Sequence, residues 1–239
     1  MQGLACVTAA ILVGGLVTRL RLVTDGRPKA LIEIQGRTFL LYLLDQLVTA
    51  GVREVVLCTG YQGQQVKAAF GDIYGSLRLR YSQELSPLGT AGALRLSLPL
   101  LNSDPVLVMN GDSFCDLDLN KFLAWHCARG ASATLALVNV SDASRYGRVD
   151  VDGSGRVVCF QEKDGTRSPG WINAGVYLIA RSFLQTIPAE CRIALEREVF
   201  PAWVGKALYG YQTEARFLDI GTPETYAEAE QFFAKQALR

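Results

Sequence analysis

The first 140 residues alternate between short apolar runs and longer segments in which apolar positions recur every three or four residues. The apolar runs predict buried strands at residues 7–13, 54–59, 106–110 and 132–140, and a further strand is predicted at residues 77–82. The helical spacing predicts helices at residues 38–50, 63–70, 90–98 and 119–129, the first two ending at glycines. This alternation with short connections predicts an α/β fold with a mostly parallel sheet and helices on both faces.

The pattern changes after residue 140. Residues 148–151 and 156–161 flank Asp152-Gly153-Ser154-Gly155, which predicts a β-hairpin. More strands are predicted at residues 173–180 and 207–218, and an amphipathic helix at residues 224–237. We expect one domain over residues 1–239, with a Rossmann-like half at about 1–140 and a β-rich half at about 141–239. The second half should cover the carboxyl ends of the parallel strands, where open α/β sheets bind ligands.

Composition narrows the function classes. The 239 residues are 49% hydrophobic, which suits one large α/β domain. No uncharged apolar run reaches the ~18 residues of a membrane span, and the N-terminus lacks a basic region followed by a cleavage site. We therefore expect neither a membrane protein nor an exported one. The net charge of +1 gives no general attraction to nucleic acid or anionic lipid, so any anion binding has to be local.

Cysteine and histidine usage adds no metal site. Six scattered cysteines have no metal-binding spacing and lie mostly in apolar stretches, so we expect reduced thiols in a cytoplasmic protein. The only histidine, His126, has no partner motif and is predicted to be structural.

A glycine-rich stretch directly after the first predicted strand is the first candidate site. Gly14 and Gly15 allow backbone N–H groups to approach an anion closely. Arg19 supplies a fork of donors suited to phosphate oxygens, and Lys29, fixed by the preceding proline, supplies a point charge. The stretch matches neither the dinucleotide-binding G-x-G-x-x-G pattern nor a P-loop. These features favour phosphate binding, with a solvated surface turn as the alternative.

Two aspartates are candidate metal ligands. Asp112 follows the strand predicted at 106–110, a position at which one or two carboxylates often hold a hydrated Mg²⁺. The alternative for Asp112 is a cap on the next turn. Asp219 precedes Thr222, which is the better N-cap for a helix starting at Pro223, so Asp219 is not needed as a cap.

Candidate sugar-binding residues lie in the second half. Glu162 can accept hydrogen bonds from sugar hydroxyls and Lys163 can bind a sugar phosphate, although adjacent Glu and Lys residues also form ordinary surface ion pairs. Asn173 and Gly175 offer an amide and an open backbone of the kind that binds hydroxyl groups.

Eight motifs occur in the order found in the sugar-1-phosphate nucleotidyltransferases, and the sequence resembles that family over nearly its whole length. The motifs are "GGLVTRL", "RPKAL", "SPLGTAGAL", "VLVMNGDSF", "SRYGRV", "FQEK", "INAGVYL" and "FLDIGTPETY". Within the family the chain is most similar to the D-glycero-α-D-manno-heptose 1-phosphate guanylyltransferases, followed by the mannose-1-phosphate guanylyltransferase-like enzymes. Because the chain ends soon after the last motif, we expect the C-terminal extensions of some relatives to be absent.

The resemblance implies the nucleotide-diphospho-sugar transferase fold. It implies transfer of a nucleotidyl group from an NTP to a sugar 1-phosphate, with release of pyrophosphate, for cell-surface glycan synthesis. The implied cofactor is Mg²⁺ and the implied partners are these small-molecule substrates. We expect no nucleic-acid or membrane partner, and a homodimer stays open. The reaction needs no general base, because a phosphomonoester with a second pKa of about 6 is already mostly deprotonated near neutral pH.

The family motifs also imply roles for individual residues. The implied nucleotide site consists of Gly14, Gly15, Thr18, Arg19, Lys29, Glu84, Gly89, Thr90 and Asp112, of which Arg19 and Lys29 are the catalytic residues. The implied sugar site consists of Gly147, Glu162, Lys163 and Asn173, and the implied metal ligands are Asp112 and Asp219. Val17 departs from the family pattern G-G-x-G-T-R-L, because it stands where the third glycine is expected. If that position requires a positive φ, the valine costs on the order of 1–3 kcal/mol and weakens NTP binding.

The base preference depends on Glu84, five residues before Gly89 in "ELSPLG". Thymidylyl relatives have Gln at this spacing, and an amide can both accept from and donate to a pyrimidine. A carboxylate has no donor, but it can accept from both N1–H and the 2-amino group of guanine. GTP is therefore the predicted donor. A solvated surface glutamate is the alternative, and some uridylyl relatives also carry an acidic residue nearby.

Other functions stay open at this point. Within the family they are a mannose-1-phosphate guanylyltransferase and a glucose-1-phosphate thymidylyl- or uridylyltransferase. Asp116-Leu117-Asp118 mimics the D-x-D motif of metal-dependent glycosyltransferases, although a diphosphate donor does not need both Arg19 and Lys29. Val17 instead motivates a non-catalytic protein that binds nucleotide sugars.

Overall fold

The structure, a computed structural model, describes residues 3–15, 31–60, 62–161 and 167–234. The helices in these ranges are α1 (Phe39–Ala50), α2 (Gly63–Phe70), α3 (Gly89–Ser97), α4 (Leu119–Arg129), α5 (Arg181–Gln185) and α6 (Pro223–Ala234). The strands are β1 (Thr8–Leu12), β2 (Glu33–Ile34), β3 (Arg37–Thr38), β4 (Glu54–Thr59), β5 (Ile73–Tyr74), β6 (Leu77–Gln83), β7 (Val106–Asn110), β8 (Ser113–Cys115), β9 (Ala133–Val140), β10 (Arg148–Val151), β11 (Val157–Gln161), β12 (Gly170–Ile179), β13 (Leu208–Thr213) and β14 (Phe217–Asp219). In addition, Leu195–Val199 forms a π-helical turn.

Parallel strands in the order β6-β4-β1-β7 form the centre of the main sheet. Strand β12 continues the sheet antiparallel to β7, and β9, β10 and β11 extend it, with β13 parallel to β9. Outside this sheet, β8 pairs with β14 and β2 with β3. The predicted α/β class with a mostly parallel first half is confirmed, while the division into two functional halves stays a prediction.

Apolar residues cover both faces of this sheet, as its nearly uninterrupted apolar strands require. On one face, Leu43 of α1 and Phe233 of α6 belong to the same buried cluster as Ile11 of β1. On the other face, Leu94 of α3 and Phe183 of α5 are part of a second buried cluster. The two layers leave the carboxyl edge of the parallel strands as the place where loops can build a site.

Most predicted boundaries agree with the structure to within a residue or two, and β4, β7, α2 and α4 match them fully. The segment predicted at 207–218 is divided, because β13 joins β9 whereas β14 leaves the main sheet to pair with β8. Strand β12 begins earlier than predicted, at Gly170. Thr222 caps α6 as predicted, with its hydroxyl oxygen accepting from the backbone N–H of Thr225.

The histidine and two of the cysteines are buried and have structural roles. His126 is buried on α4, and its Nδ1 lies 2.7 Å from the hydroxyl of Thr134 on β9, in line with the predicted structural role. Cys58 and Cys115 are buried, but the expectation of apolar surroundings for most cysteines is wrong, because three lie on exposed positions: Cys6, Cys127 and Cys191. Within the described ranges, no helix is both long and apolar enough to cross a membrane.

Candidate active site

A cavity of about 500 Å³ lies at the carboxyl end of β7 and is bordered by β12, β8 and β14. Four residues predicted from separate motifs line it together: Asp112, Gly147, Asn173 and Asp219. The lining residues that were not predicted include the polar side chains of Asn110, Ser113, Glu196 and Arg197. The predicted metal ligands and part of the predicted sugar site therefore share one cavity at the expected edge of the sheet.

Backbone pairing brings Asp112 and Asp219 to this cavity. Strand β8 runs antiparallel to β14 and places Ser113 opposite Asp219. Next to that pair, the backbone N–H of Ile220 donates to the carbonyl oxygen of Asp112 at 2.9 Å. The Asp219 carboxylate accepts from the backbone N–H of Gly221 at 2.7 Å, which fixes its side chain. Two distant acidic motifs are thus held side by side by main-chain hydrogen bonds.

The charges around the cavity suit a divalent cation. Its described lining contains three carboxylates, those of Asp112, Glu196 and Asp219, against the guanidinium of Arg197. No group of three or more His, Cys, Asp or Glu side chains is arranged to hold a metal among the described residues. Mg²⁺ does not need one, since it keeps several waters and usually binds through one or two carboxylates plus substrate phosphates. Asp112 and Asp219 fit that donor set.

An irregularity in β12 places Asn173 at the cavity. The pairing of β12 with β9 shifts register between Asn173 and Tyr177. Within this bulge, the Asn173 side-chain oxygen accepts from the backbone N–H of Gly175 at 2.9 Å. Gly175 has a φ of +73°, and a Cβ there would lie 2.5 Å from the hydroxyl oxygen of Ser113. Only glycine fits this position, and it keeps the Asn173 amide in one orientation.

Gly147 lies in the cavity wall beside the half-buried Tyr146. Burial, and then the charge of Asp219, raise the pKa of the Tyr146 phenol above its ordinary value. Tyr146 therefore presents a neutral hydroxyl close to the predicted metal ligands. The predicted role of Gly147, close approach of backbone to sugar, stays a prediction.

The strands β1, β4 and β6 end in a second cluster at the same edge of the sheet, which we call the glycine end (Gly14, Gly60 and Glu84). A Cβ on Gly14 would lie 3.1 Å from the Gly60 nitrogen and 3.2 Å from Glu84 Oε1. A Cβ on Gly60 would lie 2.8 Å from the Gly14 carbonyl oxygen and 3.0 Å from Glu84 Oε1. Because both glycines lack a side chain, the Glu84 carboxylate can lie directly against the backbone that follows β1.

Glu84 is held in place rather than freely solvated. Its Oε2 accepts from the backbone N–H of Leu88 at 3.0 Å. Burial raises the pKa of Glu84, and the Leu88 hydrogen bond offsets part of that rise. The alternative of a solvated surface glutamate is therefore wrong, whereas base recognition by Glu84 stays a prediction.

Gly89 and Thr90 connect α3 to the segment that precedes β13. Gly89 has a φ of +71°, and a Cβ there would lie 2.5 Å from the carbonyl oxygen of Ile193. The Thr90 hydroxyl oxygen accepts from the backbone N–H of Leu195 at 2.7 Å. Both residues have structural partners, and their predicted nucleotide contacts stay predictions.

Six residues of the sequence analysis lie outside the described residues: Val17, Thr18, Arg19, Lys29, Glu162 and Lys163. Their assignments, including both predicted catalytic residues, stay predictions. Gly15 is described and exposed, next to the glycine end.

The D-x-D segment does not reach the candidate active site. Asp116 pairs with Arg216 at 3.0 Å, and Asp118 caps α4 by accepting from the backbone N–H groups of Asn120 and Lys121. Both aspartates border a different cavity, of about 600 Å³, and none of the predicted site residues that the structure describes lines it. The acidic pair thus has structural partners and lies apart from the carboxylates of the 500 Å³ cavity.

Comparison with known proteins agrees with this geometry. A sequence model of the family described as "Nucleotidyl transferase" matches residues 8–236. The chain belongs to the nucleotidyl transferase family. This membership and the relatives below confirm the predicted resemblance and the predicted fold.

Three similar proteins illustrate the range of the family. The mannose-1-phosphate guanylyltransferase of Mycobacterium tuberculosis is 38% identical over 226 residues, which are 92% of this chain but only 62% of that protein. The D-glycero-alpha-D-manno-heptose 1-phosphate guanylyltransferase of Aneurinibacillus thermoaerophilus is 35% identical over 224 residues, 93% of this chain and 96% of that protein. The crystal structure of HddC from Yersinia pseudotuberculosis complexed with GMP-PN has a TM-score of 0.84 and 30% identity, covering 95% of this chain and 99% of that one.

The site residues that the sequence analysis did not identify share one property. The sequence around each of them is ordinary for a core, surface or loop residue and gives no sign of a functional role. Tyr177 lies in an apolar strand and Glu196 in a charged stretch, so the first resembles a core residue and the second a surface one. Gly60 follows a strand without any acidic or basic neighbour. A signal for Gly60 was available, since a glycine after the second parallel strand lies beside the glycines that follow the first.

Proposed function

We propose that this chain transfers the guanylyl group of GTP to the phosphate of D-glycero-α-D-manno-heptose 1-phosphate, giving GDP-heptose and pyrophosphate. The main support is the convergence of Asp112, Asp219, Gly147 and Asn173 on one cavity at the same sheet edge as the glycine end. The similarity to the Aneurinibacillus heptose enzyme and to HddC supports the choice of sugar and base. All six cysteines are free thiols, which agrees with action in the cytoplasm.

The chemistry needs alignment and charge neutralisation more than proton transfer. A sugar phosphate oxygen attacks the α-phosphorus of GTP, a new P–O bond forms, and the bond to the bridging oxygen of the β-phosphate breaks as pyrophosphate leaves. The attacking phosphate is already deprotonated near neutral pH, with a second pKa of about 6. This agrees with the position of His126, which is buried away from the cavity. The rate then depends on holding two polyanions in line while their charge is balanced.

The residues divide this work. Asp112 and Asp219 would hold Mg²⁺, which when bound supplies positive charge to the phosphates. Asp219 is kept in place by the Gly221 N–H, and the Ile220 bond fixes the backbone of Asp112. Arg19 and Lys29 are proposed to bind the departing and transferring phosphates, as the family motifs imply.

The base is proposed to bind at the glycine end. Glu84 uses Oε2 for the Leu88 N–H, while Oε1 lies against Gly14 and Gly60. A carboxylate at this position accepts from guanine donors and offers no donor to a pyrimidine carbonyl.

Mannose 1-phosphate is the second candidate sugar. It is favoured by the 38% identity to the mycobacterial mannose-1-phosphate guanylyltransferase. Heptose and mannose phosphates share the manno configuration of the ring, so the residues facing the ring do not separate them.

A matrix of substrates tests the proposal. Pyrophosphate release is measured with GTP, dTTP and UTP, each against the 1-phosphates of D-glycero-α-D-manno-heptose, mannose and glucose. The proposal expects the highest kcat/KM for GTP with the heptose phosphate. A higher value with mannose phosphate selects the second candidate. Binding of GTP and GDP-sugar without pyrophosphate release in any combination identifies a non-catalytic binder, the function that Val17 motivates.

A further inference from the structure

A buried phenol is the centre of a hydrogen-bond chain at the cavity, which we call the amide end (Asn110, Asn173, Tyr177 and Glu196). Tyr177 is fully buried. Its hydroxyl oxygen accepts from Asn173 Nδ2 at 2.8 Å, and the side chain of Asn110 lies close to the same oxygen. The phenol in turn donates to Glu196 Oε1 at 3.0 Å. One acceptor position and the single proton of the phenol are thus in use.

Glu196 accepts a second hydrogen bond from a hydroxyl group, that of a residue in the first half of the chain. Its Oε2 accepts from the Thr90 hydroxyl at 3.0 Å. The N–H of Leu195 donates to the Thr90 oxygen at 2.7 Å, so the Thr90 proton is directed to Glu196. Glu196 lies on the π-helical turn Leu195–Val199, a type of irregularity frequently found at functional sites. The carboxylate therefore joins α3 to β12.

The acceptor-only character of a carboxylate sets the direction of every bond in this chain. While Tyr177 donates to Glu196, its oxygen can only accept, so the NH₂ groups of both asparagines must point at the phenol. The oxygen of Asn173 is then directed to the Gly175 N–H at 2.9 Å. The oxygen of Asn110 is buried and has no hydrogen-bond partner among the described residues. An amide is nearly symmetric in shape, so its orientation depends on such partners.

We infer that Glu196 is a positioning residue for sugar recognition, which acts through Tyr177 to fix which atoms of Asn110 and Asn173 face the sugar 1-phosphate. The inference rests on the proposed function, because it takes the cavity as the sugar site. A glutamine at position 196 has an oxygen at only one of the two positions occupied by Oε1 and Oε2, so it cannot accept from both the Tyr177 and the Thr90 hydroxyl in this arrangement. When the NH₂ group of this glutamine donates to the phenol oxygen, the phenol can no longer donate to residue 196. The phenol then donates its hydrogen bond to an asparagine oxygen, which requires that asparagine amide to flip.

Glu196→Gln is the test variant, and Glu198→Gln is its matched control. Glu198 lies on the same turn, accepts from the Ala194 N–H at 2.8 Å, and is absent from the cavity lining. For Glu196→Gln we expect the KM for the sugar 1-phosphate to rise about tenfold, the size of one lost hydrogen bond, with the KM for GTP unchanged. We also expect weaker discrimination between mannose and glucose 1-phosphates, which a purely structural role would not alter. Glu198→Gln should leave both KM values and the discrimination unchanged.

A double substitution separates positioning from direct contact. Tyr177→Phe should raise the same KM, and adding Glu196→Gln to it should raise the KM no further. Effects that multiply, equal effects of the two glutamine variants, or an unchanged sugar KM in Glu196→Gln would each overturn the inference. Thermal unfolding identifies a variant that fails to fold; Tyr177→Phe then decides alone, and an unchanged sugar KM in it overturns the inference.

Turnover by the wild-type chain tests the proposed function separately. If the wild-type chain releases no pyrophosphate, the proposed function fails. The positioning role is then tested by calorimetry, which measures the Kd of mannose and glucose 1-phosphates for the same variants. Glu196→Gln and Tyr177→Phe should bind more weakly than the wild type and Glu198→Gln. Absence of any binding to the wild-type chain overturns both.

Discussion

At the glycine end, backbone atoms approach one carboxylate so closely that a single added methyl group would collide with them. At the amide end, the side chains of Asn173, Tyr177 and Glu196 form the surface, joined by hydrogen bonds of 2.8 and 3.0 Å. The glycine end depends on the lack of side chains at Gly14 and Gly60, and the amide end depends on which group donates and which accepts in each hydrogen bond. The glycine end should therefore be sensitive to added volume, whereas the amide end should be sensitive to changes in polarity that leave the volume constant.

The largest expected effect lies at the carboxylates of Asp112 and Asp219. Asp112→Ala and Asp219→Ala should each lower kcat about 10²-fold or more, because charged groups near a developing anion contribute a few kcal/mol. Steady-state pyrophosphate release measures this. Asp116→Ala is the control: its exposed pair with Arg216 lies outside the cavity and contributes little. A near-wild-type kcat in both cavity variants would show that neither aspartate takes part in the reaction.

Gly60→Ala tests the sensitivity of the glycine end to volume. Its Cβ would meet the Gly14 oxygen at 2.8 Å and Glu84 Oε1 at 3.0 Å. Overpacking of this kind costs about 1–3 kcal/mol, so kcat/KM for GTP should fall by about tenfold or more while the sugar KM stays constant. Gly153→Ala, with no atom within 4 Å of the added Cβ, should match the wild type. A rise in both KM values would show that the two ends are not independent.

Glu84→Gln tests base recognition with little change in volume. A mispaired guanine donor should cost roughly 1–3 kcal/mol and shift preference toward dTTP and UTP. Because burial raises the pKa of Glu84, the wild-type KM for GTP should rise as pH falls through that raised pKa, where the carboxylate gains a proton. The variant should lose this pH dependence. An unchanged preference for GTP would show that the base is recognised elsewhere.

His126→Gln should have the smallest effect on kcat/KM, because His126 touches neither end. Burial lowers its pKa from 6.5 to about 4. Between these values the unfolded chain binds a proton that the folded chain does not, so the free energy of unfolding should fall as pH drops from 6.5 toward 4, by roughly 3 kcal/mol in total. Urea unfolding across this pH range should show a flatter profile for the variant. Equal profiles would assign the acid sensitivity to other groups.

The elements of the first half could be predicted because most of the long strands are short apolar runs and several helices end at glycines. Gly51 confirms this, since it ends α1 with a φ of +88°. The strand β8 was missed and β14 was not separated from β13, because three residues are too few for an alternating pattern to be detected. They exist because they pair with each other, and a pairing between distant segments leaves no local signal.

The candidate site could be predicted where chemistry leaves a local signature. Asp112 follows a buried strand and Asp219 precedes a capped helix, and both signals indicated the cavity. Glu196 has no such signature, because its partners Thr90 and Tyr177 belong to other elements. Its position depends on how α3, β12 and the π-helical turn pack together, which the pattern of a single segment does not contain.

The pairing of β8 with β14 has a consequence for biosynthesis. Ser113 is translated long before its partner Asp219, so a growing chain can complete the parallel strands of its first half while the second carboxylate is still missing. The nascent protein can then form the glycine end but cannot assemble the acidic pair. Formation of the predicted metal site is thereby delayed until the segment that contains β14 has left the ribosome.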